Sequence, residues 1–151
     1  MNSVSHTETF QIDQPIEILF PLFSAEGERL WAPGWDYENI SGSDGMHEDF
    51  IFLTKNHDHS SHGEDTIWLV KRYDPETYCV QYYRVEPGQK VGLVTVRCSE
   101  VDLSITDVEV TYEYTALNEL GERFLEKFTA DYYKMFIKGW KTHLLHYFES
   151  M

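Results

Sequence analysis

The segment NHDHSSHGED, residues 56 to 65, holds His57, His59 and His62 among Asp58, Glu64 and Asp65. Imidazole nitrogens and carboxylate oxygens are good ligands for zinc or nickel. The same segment carries Asn56, Ser60, Ser61 and Gly63, all turn formers, and falls between two stretches of strand character. Metal centres that do chemistry draw their ligands from rigid, partly buried elements with supporting hydrogen bonds. A hairpin tip offers neither, so the segment reads as a solvated loop and no metal is assigned to it. A second pair, His143 and His146, is spaced i, i+3 and can meet on one helical face. With Glu26 or Glu28 the pair would make an acid–base couple. The competing reading gives one ring a backbone carbonyl and the other solvent near a helix C-terminus, where a protonated imidazole suits the dipole. No GxSxG, phosphate loop or HExxH occurs. No catalytic residue and no cofactor is therefore assigned.

The elements that would position any site follow from composition and periodicity. The chain has 151 residues, 42% of them hydrophobic and 15% aromatic, which argues for one folded domain over residues 1–151 and against disorder. The formal charge of −14 disfavours nucleic acid and anionic lipid as partners. The two cysteines, Cys79 and Cys98, fall in strand-like runs without CxxC spacing and read as buried thiols. The N-terminal MNSVSHTETF has no basic start followed by an apolar run, and no apolar stretch approaches the roughly 20 residues that span a bilayer. The expectation is a soluble cytoplasmic protein without membrane insertion; a homodimer is compatible with the chain.

Residues 5–12 read as a first strand. Pro15 opens a short helix that Pro21 kinks or ends, and Ser24 caps a second one, SAEGERLW. The turn WAPGW follows. Extended runs then cover 49–55, 65–73, 77–85, 91–101 and 104–116, separated by the turns YDPE and EPGQK. In the last run Val108, Val110, Tyr112 and Tyr114 alternate with Asp107, Glu109, Thr111 and Glu113, the pattern of a sheet with one dry face. Residues 119–150 have helical period. At ~100° per residue, Phe124, Leu125, Phe128, Tyr132, Met135, Phe136, Trp140 and Tyr147 form one apolar arc, interrupted by Gly139, with His143 and His146 on the same side. The dry face of the sheet is the one partner large enough for that arc.

The order strand, two short helices, antiparallel meander and long C-terminal helix resembles the helix-grip fold of the START/Bet v 1-like (SRPBCC) superfamily, in particular its polyketide cyclase/dehydrase-like members. The resemblance rests on TFQIDQPIEILFPLFSAEGERLWAPGW, TIWLVKRYDPE and GERFLEKFTADYYKMFIKGWKTHL. It implies an α+β fold, a curved antiparallel sheet wrapped around the C-terminal helix with an apolar cavity between them. It also implies a small hydrophobic ligand, as members bind lipids, sterols, polyketides or plant hormones, and some catalyse cyclisation or dehydration. No catalytic residue of the family maps onto a position here.

The expected lining of that cavity is aromatic: Trp31 and Trp35 from WAPGW, as wall, gate or plug; Trp68, Tyr82, Tyr112 and Tyr114 from strands; and Phe128, Tyr132, Met135, Phe136 and His143 from the C-terminal helix. Arg84 is in phase with Tyr82. Pointing inward it is a costly buried cation and an anchor for a carboxylate; pointing outward it is one more surface charge. The leading expectation is binding of a small hydrophobic molecule such as a lipid, polyketide or aromatic metabolite. The alternatives are a cyclase- or dehydratase-like enzyme using a cavity histidine, and a protein-interaction module with a solid core and an exposed apolar patch.

Overall fold

Alternating apolar and polar side chains become a sheet when the apolar row finds cover. In the computed structural model, which describes residues 2–43, 45–55 and 65–151, seven strands are found among the described residues. They are β1 (Ser3–Ile12), β2 (Tyr37–Asn39), β3 (Ile51–Thr54), β4 (Thr66–Asp74), β5 (Cys79–Glu86), β6 (Lys90–Asp102) and β7 (Ile105–Ala116). Their order is β1-β7-β6-β5-β4-β3-β2, every pairing antiparallel, so the last strand returns to pair with the first.

The period-2 pattern of β7 holds throughout: Thr106, Val108, Val110, Tyr112 and Tyr114 are buried. The faces of β4 and β5 are now fixed as well. Thr66, Trp68 and Val70 point inward, with Tyr82 opposite Val70 and Arg84 directly opposite Trp68 on the same inner face, and Val80 is buried further along β5. A register shift between Val70 and Arg72 marks a bulge that re-aims the end of β4. Cys79 and Cys98 are buried free thiols, and burial pushes the Cys98 thiol up to about 12, with Cys79 adding to the shift.

Between β1 and β2 lie α1 (Ile16–Leu19), a 3₁₀ turn over Phe20–Phe23 and α2 (Ala25–Trp31). Ser24 caps α2 as its type predicts, its hydroxyl accepting from the Gly27 amide at 2.9 Å. Gly27 is required there. A Cβ on it would lie 2.1 Å from the Pro21 carbonyl oxygen, so α2 sits on the preceding turn with backbone against backbone.

The C-terminal segment departs from the single helix its periodicity predicts. It forms α3 (Glu119–Lys127) and α4 (Ala130–Glu149), divided at Phe128 and Thr129. Thr129 starts a new helix, its side-chain oxygen accepting from the Tyr132 amide at 3.1 Å. The Phe128 carbonyl, released from helical bonding, accepts from His6 Nε2 at 2.7 Å, and the Phe128 ring enters the core at 4% exposure. After this interruption Trp140 and Tyr147 still pack against the core as the period predicts, while the other arc residues shift. Tyr133, Ile137 and Leu144 are the fully buried residues of α4, while Tyr132, Met135 and His143, expected on the dry arc, are exposed, and Phe136 is at its edge. Counting ~100° per residue across an unbroken helix therefore misplaced the arc by about one residue. Among the described residues no helix is long and apolar enough to cross a membrane.

Two glycine substitutions separate close packing from open space. Gly27→Ala should lower the free energy of unfolding by about 1–3 kcal/mol through overpacking. Gly139→Ala, where nothing lies within 4 Å of the added Cβ, should raise it by up to about 1 kcal/mol through helix propensity. Urea unfolding followed by circular dichroism measures both.

Candidate functional site

Aromatic side chains from every layer meet between α2, α4 and the inner face of the sheet. Trp140 of α4 stacks on Phe23 at 6.1 Å and meets Trp31 edge-on at 5.5 Å. Tyr112 of β7 lies 5.5 Å from Phe136 and 6.3 Å from Trp140. Trp68 stacks on Phe52 at 5.7 Å and meets Tyr82 edge-on at 5.7 Å. Their polar tips are mostly satisfied by the protein itself. Tyr82 donates to the Phe23 carbonyl at 2.5 Å, Tyr133 to the Val110 carbonyl at 2.6 Å, and Trp31 to the Leu22 carbonyl at 2.7 Å. Buried hydroxyls that find carbonyls escape the cost of desolvation.

A small cavity of about 10 Å³ remains, lined by Phe23, Glu28, Trp68, Tyr82, Val94, Val96, Tyr112 and Trp140. That is room for about one water. Its unusual member is Glu28, which keeps some exposure as a residue while its carboxyl group is turned into the protein. Burial lifts that carboxyl well above the ordinary carboxylate range, and the nearby positive charge of Arg84 opposes the shift without cancelling it.

Arg84 lies one ring away, its guanidinium 4.8 Å from the Trp68 ring centre and 5.9 Å from that of Tyr114. Burial works against its charge, while the Glu86 carboxylate and hydrogen bonding with Tyr112 support it. Gly92, its partner across β6, supplies the space. A Cβ there would lie 2.7 Å from the Tyr114 ring and 2.9 Å from Arg84 Cγ. Lys90 completes the group. It is 2% exposed, with its ammonium 3.7 Å from the Phe124 ring centre, 3.0 Å from Glu86 Oε2 and hydrogen-bonded to Gln89 Oε1. Burial lowers its pKa, and Glu86 resists that.

Of the expected lining residues, the structure brings Trp68, Tyr82 and Tyr112 to the cavity. Trp31, Tyr114 and Phe128 are buried in the surrounding ring cluster, and Trp35 is half-buried against Trp68 at 5.5 Å, its indole N–H donating to the Ala25 carbonyl at 2.9 Å. Tyr132 and Met135 are 54% and 65% exposed on the outer side of α4, with His143 and His146 also exposed. The acid–base couple of a histidine with Glu26 or Glu28, one of the two readings of that pair, is not formed: Glu26 instead accepts from Tyr37 at 2.8 Å and Glu28 turns inward. Residues 56–64, with His57, His59 and His62, lie outside the described residues. Residue typing named Glu28 only as a partner for a helix histidine, left Phe23, Val94, Val96 and Trp140 out of the lining, and missed Lys90. A glutamate two positions past another in a short helix, and a lysine beside a Pro-Gly turn, look like surface groups until the helix and strand are placed.

No protein-family model matches the chain, and no curated protein matches it either. Solved structures do. Norcoclaurine synthase from Thalictrum flavum, in complex with dopamine and hydroxybenzaldehyde, superposes with a TM-score of 0.68 at 12% identity, covering 95% of this chain and 87% of that one. The Zhui aromatase/cyclase from Streptomyces sp. R1128 gives 0.61 at 13% identity, over 77% and 70% of the two chains. Ginseng major latex-like protein 151 from Panax ginseng gives 0.61 at 13% identity, over 79% and 83%. The chain has the helix-grip fold of the Bet v 1-like proteins and aromatase/cyclases, as its element order predicts.

The Glu28 carboxyl gives the site a pH signature. Between the unfolded carboxylate value and the raised folded value, the native protein holds a proton that the unfolded chain has released. Stability contributed by Glu28 is therefore complete at low pH and is lost as pH rises through the folded value. Glu28→Gln, which does not titrate, should gain thermal stability relative to the wild type as pH climbs from about 4 to about 9. A difference in melting temperature that stays flat over that range would mean that the carboxyl titrates normally.

Proposed function

We propose that this chain binds a small, largely apolar aromatic molecule between α2, α4 and the inner face of the sheet. The observation that carries the reading is the Glu28 carboxyl, buried among aromatic rings at a cavity. An apolar side chain there would make a more stable core. Perturbed titratable groups kept in such interiors cluster at functional sites. Binding draws on burial of apolar ligand surface, at about 25 cal/mol per Å².

The cavity holds about one water, so a ligand enters by displacing rings rather than by filling a void. Phe136, 36% exposed, packs against both Tyr112 and Trp140 at the cavity wall, and Tyr132 and Met135 of the same helix are exposed. These side chains are the natural way in. The aromatic ligands of the norcoclaurine synthase complex support a planar cargo for this fold. The enzyme alternative loses its expected histidine, because His143 and His146 are both exposed.

One observation favours a second reading. Tyr132 and Met135 leave α4 with an uncovered apolar stripe, which suits contact with another protein, including a second copy of this chain.

Titration with N-phenyl-1-naphthylamine, a neutral dye that brightens in apolar surroundings, tests the small-molecule reading. One saturable site is expected, weakened about 2- to 10-fold by Tyr112→Ala, which removes one wall ring. Native mass spectrometry of gently purified protein should also show an organic adduct. No saturable binding and a bare mass would overturn the reading. Concentration-dependent association abolished by Met135→Lys would then establish the second.

A further inference from the structure

We propose that the bound molecule carries an anionic oxygen group, a carboxylate or a phenolate, and that Arg84 receives it. This inference rests on the small-molecule reading and adds the charge of the ligand to it.

The argument is a count of charges inside the aromatic cluster. Arg84 and Lys90 share one carboxylate, and both approach the same oxygen, Glu86 Oε2, at 3.5 and 3.0 Å. Lys90 is the closer and the more deeply enclosed, with 3% of its side chain exposed against 20% for Arg84. Lys90 is thus the nearer cation to Glu86, although no hydrogen bond is made to Oε2 itself. Arg84 Nε and Glu86 Oε2 are both buried without a hydrogen-bond partner, so the donor on Arg84 is not met by the carboxylate it pairs with. Glu28 is the next carboxyl within electrostatic reach, and burial favours its neutral form. Tyr82, Tyr112 and Tyr114 are all held above their ordinary values, so none supplies an anion. Among these groups two cations face one anion, in a chain whose net charge is −14. A buried cation with an unmet N–H is costly unless something completes it.

Placement agrees with the count. Arg84 lies on Trp68, which lines the cavity together with Glu28 and Tyr112. A planar ligand seated among those rings would present an edge substituent toward the guanidinium. Charge-assisted bonds between guanidinium and carboxylate are the strong, directional ones. Gly92 keeps the strand opposite clear for that arrangement.

The test uses two probes of nearly equal shape, 2-naphthoate and neutral 2-naphthamide, titrated against the wild type by quenching of tryptophan emission. The anion should bind about 10- to 100-fold tighter, the weight of one charge-assisted hydrogen bond. Arg84→Met should bring the two probes together, and Arg84→Lys should restore part of the difference. Equal binding of both probes by the wild type overturns the inference and leaves the small-molecule reading standing. A preference for the anion that survives in Arg84→Met also overturns it, by moving the anchor elsewhere. Failure of both probes to bind removes the inference together with the reading beneath it.

Discussion

The rest of the molecule depends on one docking contact, that of Tyr133 with the dry face of β7. The sheet exposes an inner row of Val108, Val110, Tyr112 and Tyr114 that must be covered, and α4 is the long element available to cover it. Tyr133 is 0% exposed and donates its hydroxyl to the Val110 carbonyl at 2.6 Å. That hydrogen bond ties the helix to the strand, and the ring stacks on His6 of β1 at 5.6 Å. His6 in turn bonds the Phe128 carbonyl, so the same point fixes the break between α3 and α4. Once α4 is anchored there, its exposed stripe and its cavity-facing residue Trp140 are determined by helical geometry.

How much of this is legible in the sequence depends on whether a pattern is local. The period of two in β7 survives intact because each inward residue is flanked by outward ones that meet solvent. The Ser24 cap is equally local, since a hydroxyl three residues before a free amide needs no other information. The phase of α4 is not local. Thr129 followed by Asp131 has the types of a helix start, yet a continuous apolar period on both sides hides the interruption. The orientation of α2 is tertiary in the same sense. Glu26 and Glu28 differ by two positions and by nothing in chemistry, and only the docking of the helix against the 3₁₀ turn through Gly27 sends one outward to Tyr37 and the other into the aromatic cluster. Arg84 was readable as one of two alternatives, and its pairing opposite Trp68 decides for the inward one.

Tyrosine-rich interiors are often taken to be ligand-orienting because each ring carries a hydroxyl. Here that capacity is largely used. Tyr82 and Tyr133 spend their hydroxyls on backbone carbonyls, and Trp31 and Trp35 spend their indole N–H groups likewise. These rings supply shape and a polarisable wall, and electron-rich ring faces stabilise the cations of Arg84 and Lys90. The buried side-chain atoms without a hydrogen bond among the described residues are Nε of Arg84 and Oε2 of Glu86, and the Glu28 carboxyl faces the cavity.

That division of labour bears on what the fold can say. At 12–13% identity, the norcoclaurine synthase, aromatase/cyclase and latex-like structures share the helix-grip frame with this chain and need share nothing about cargo. A frame of this kind offers any ligand an apolar wall. Selectivity then belongs to whichever few charged groups the frame encloses, because an unmatched buried charge discriminates more strongly than an added patch of apolar surface. In this chain those groups come from three elements, α2, β5 and β6, which the docking of α2 and the space at Gly92 bring together. The individuality of the site therefore lies in its charge arrangement, with the aromatic wall setting the strength of those charges by excluding water.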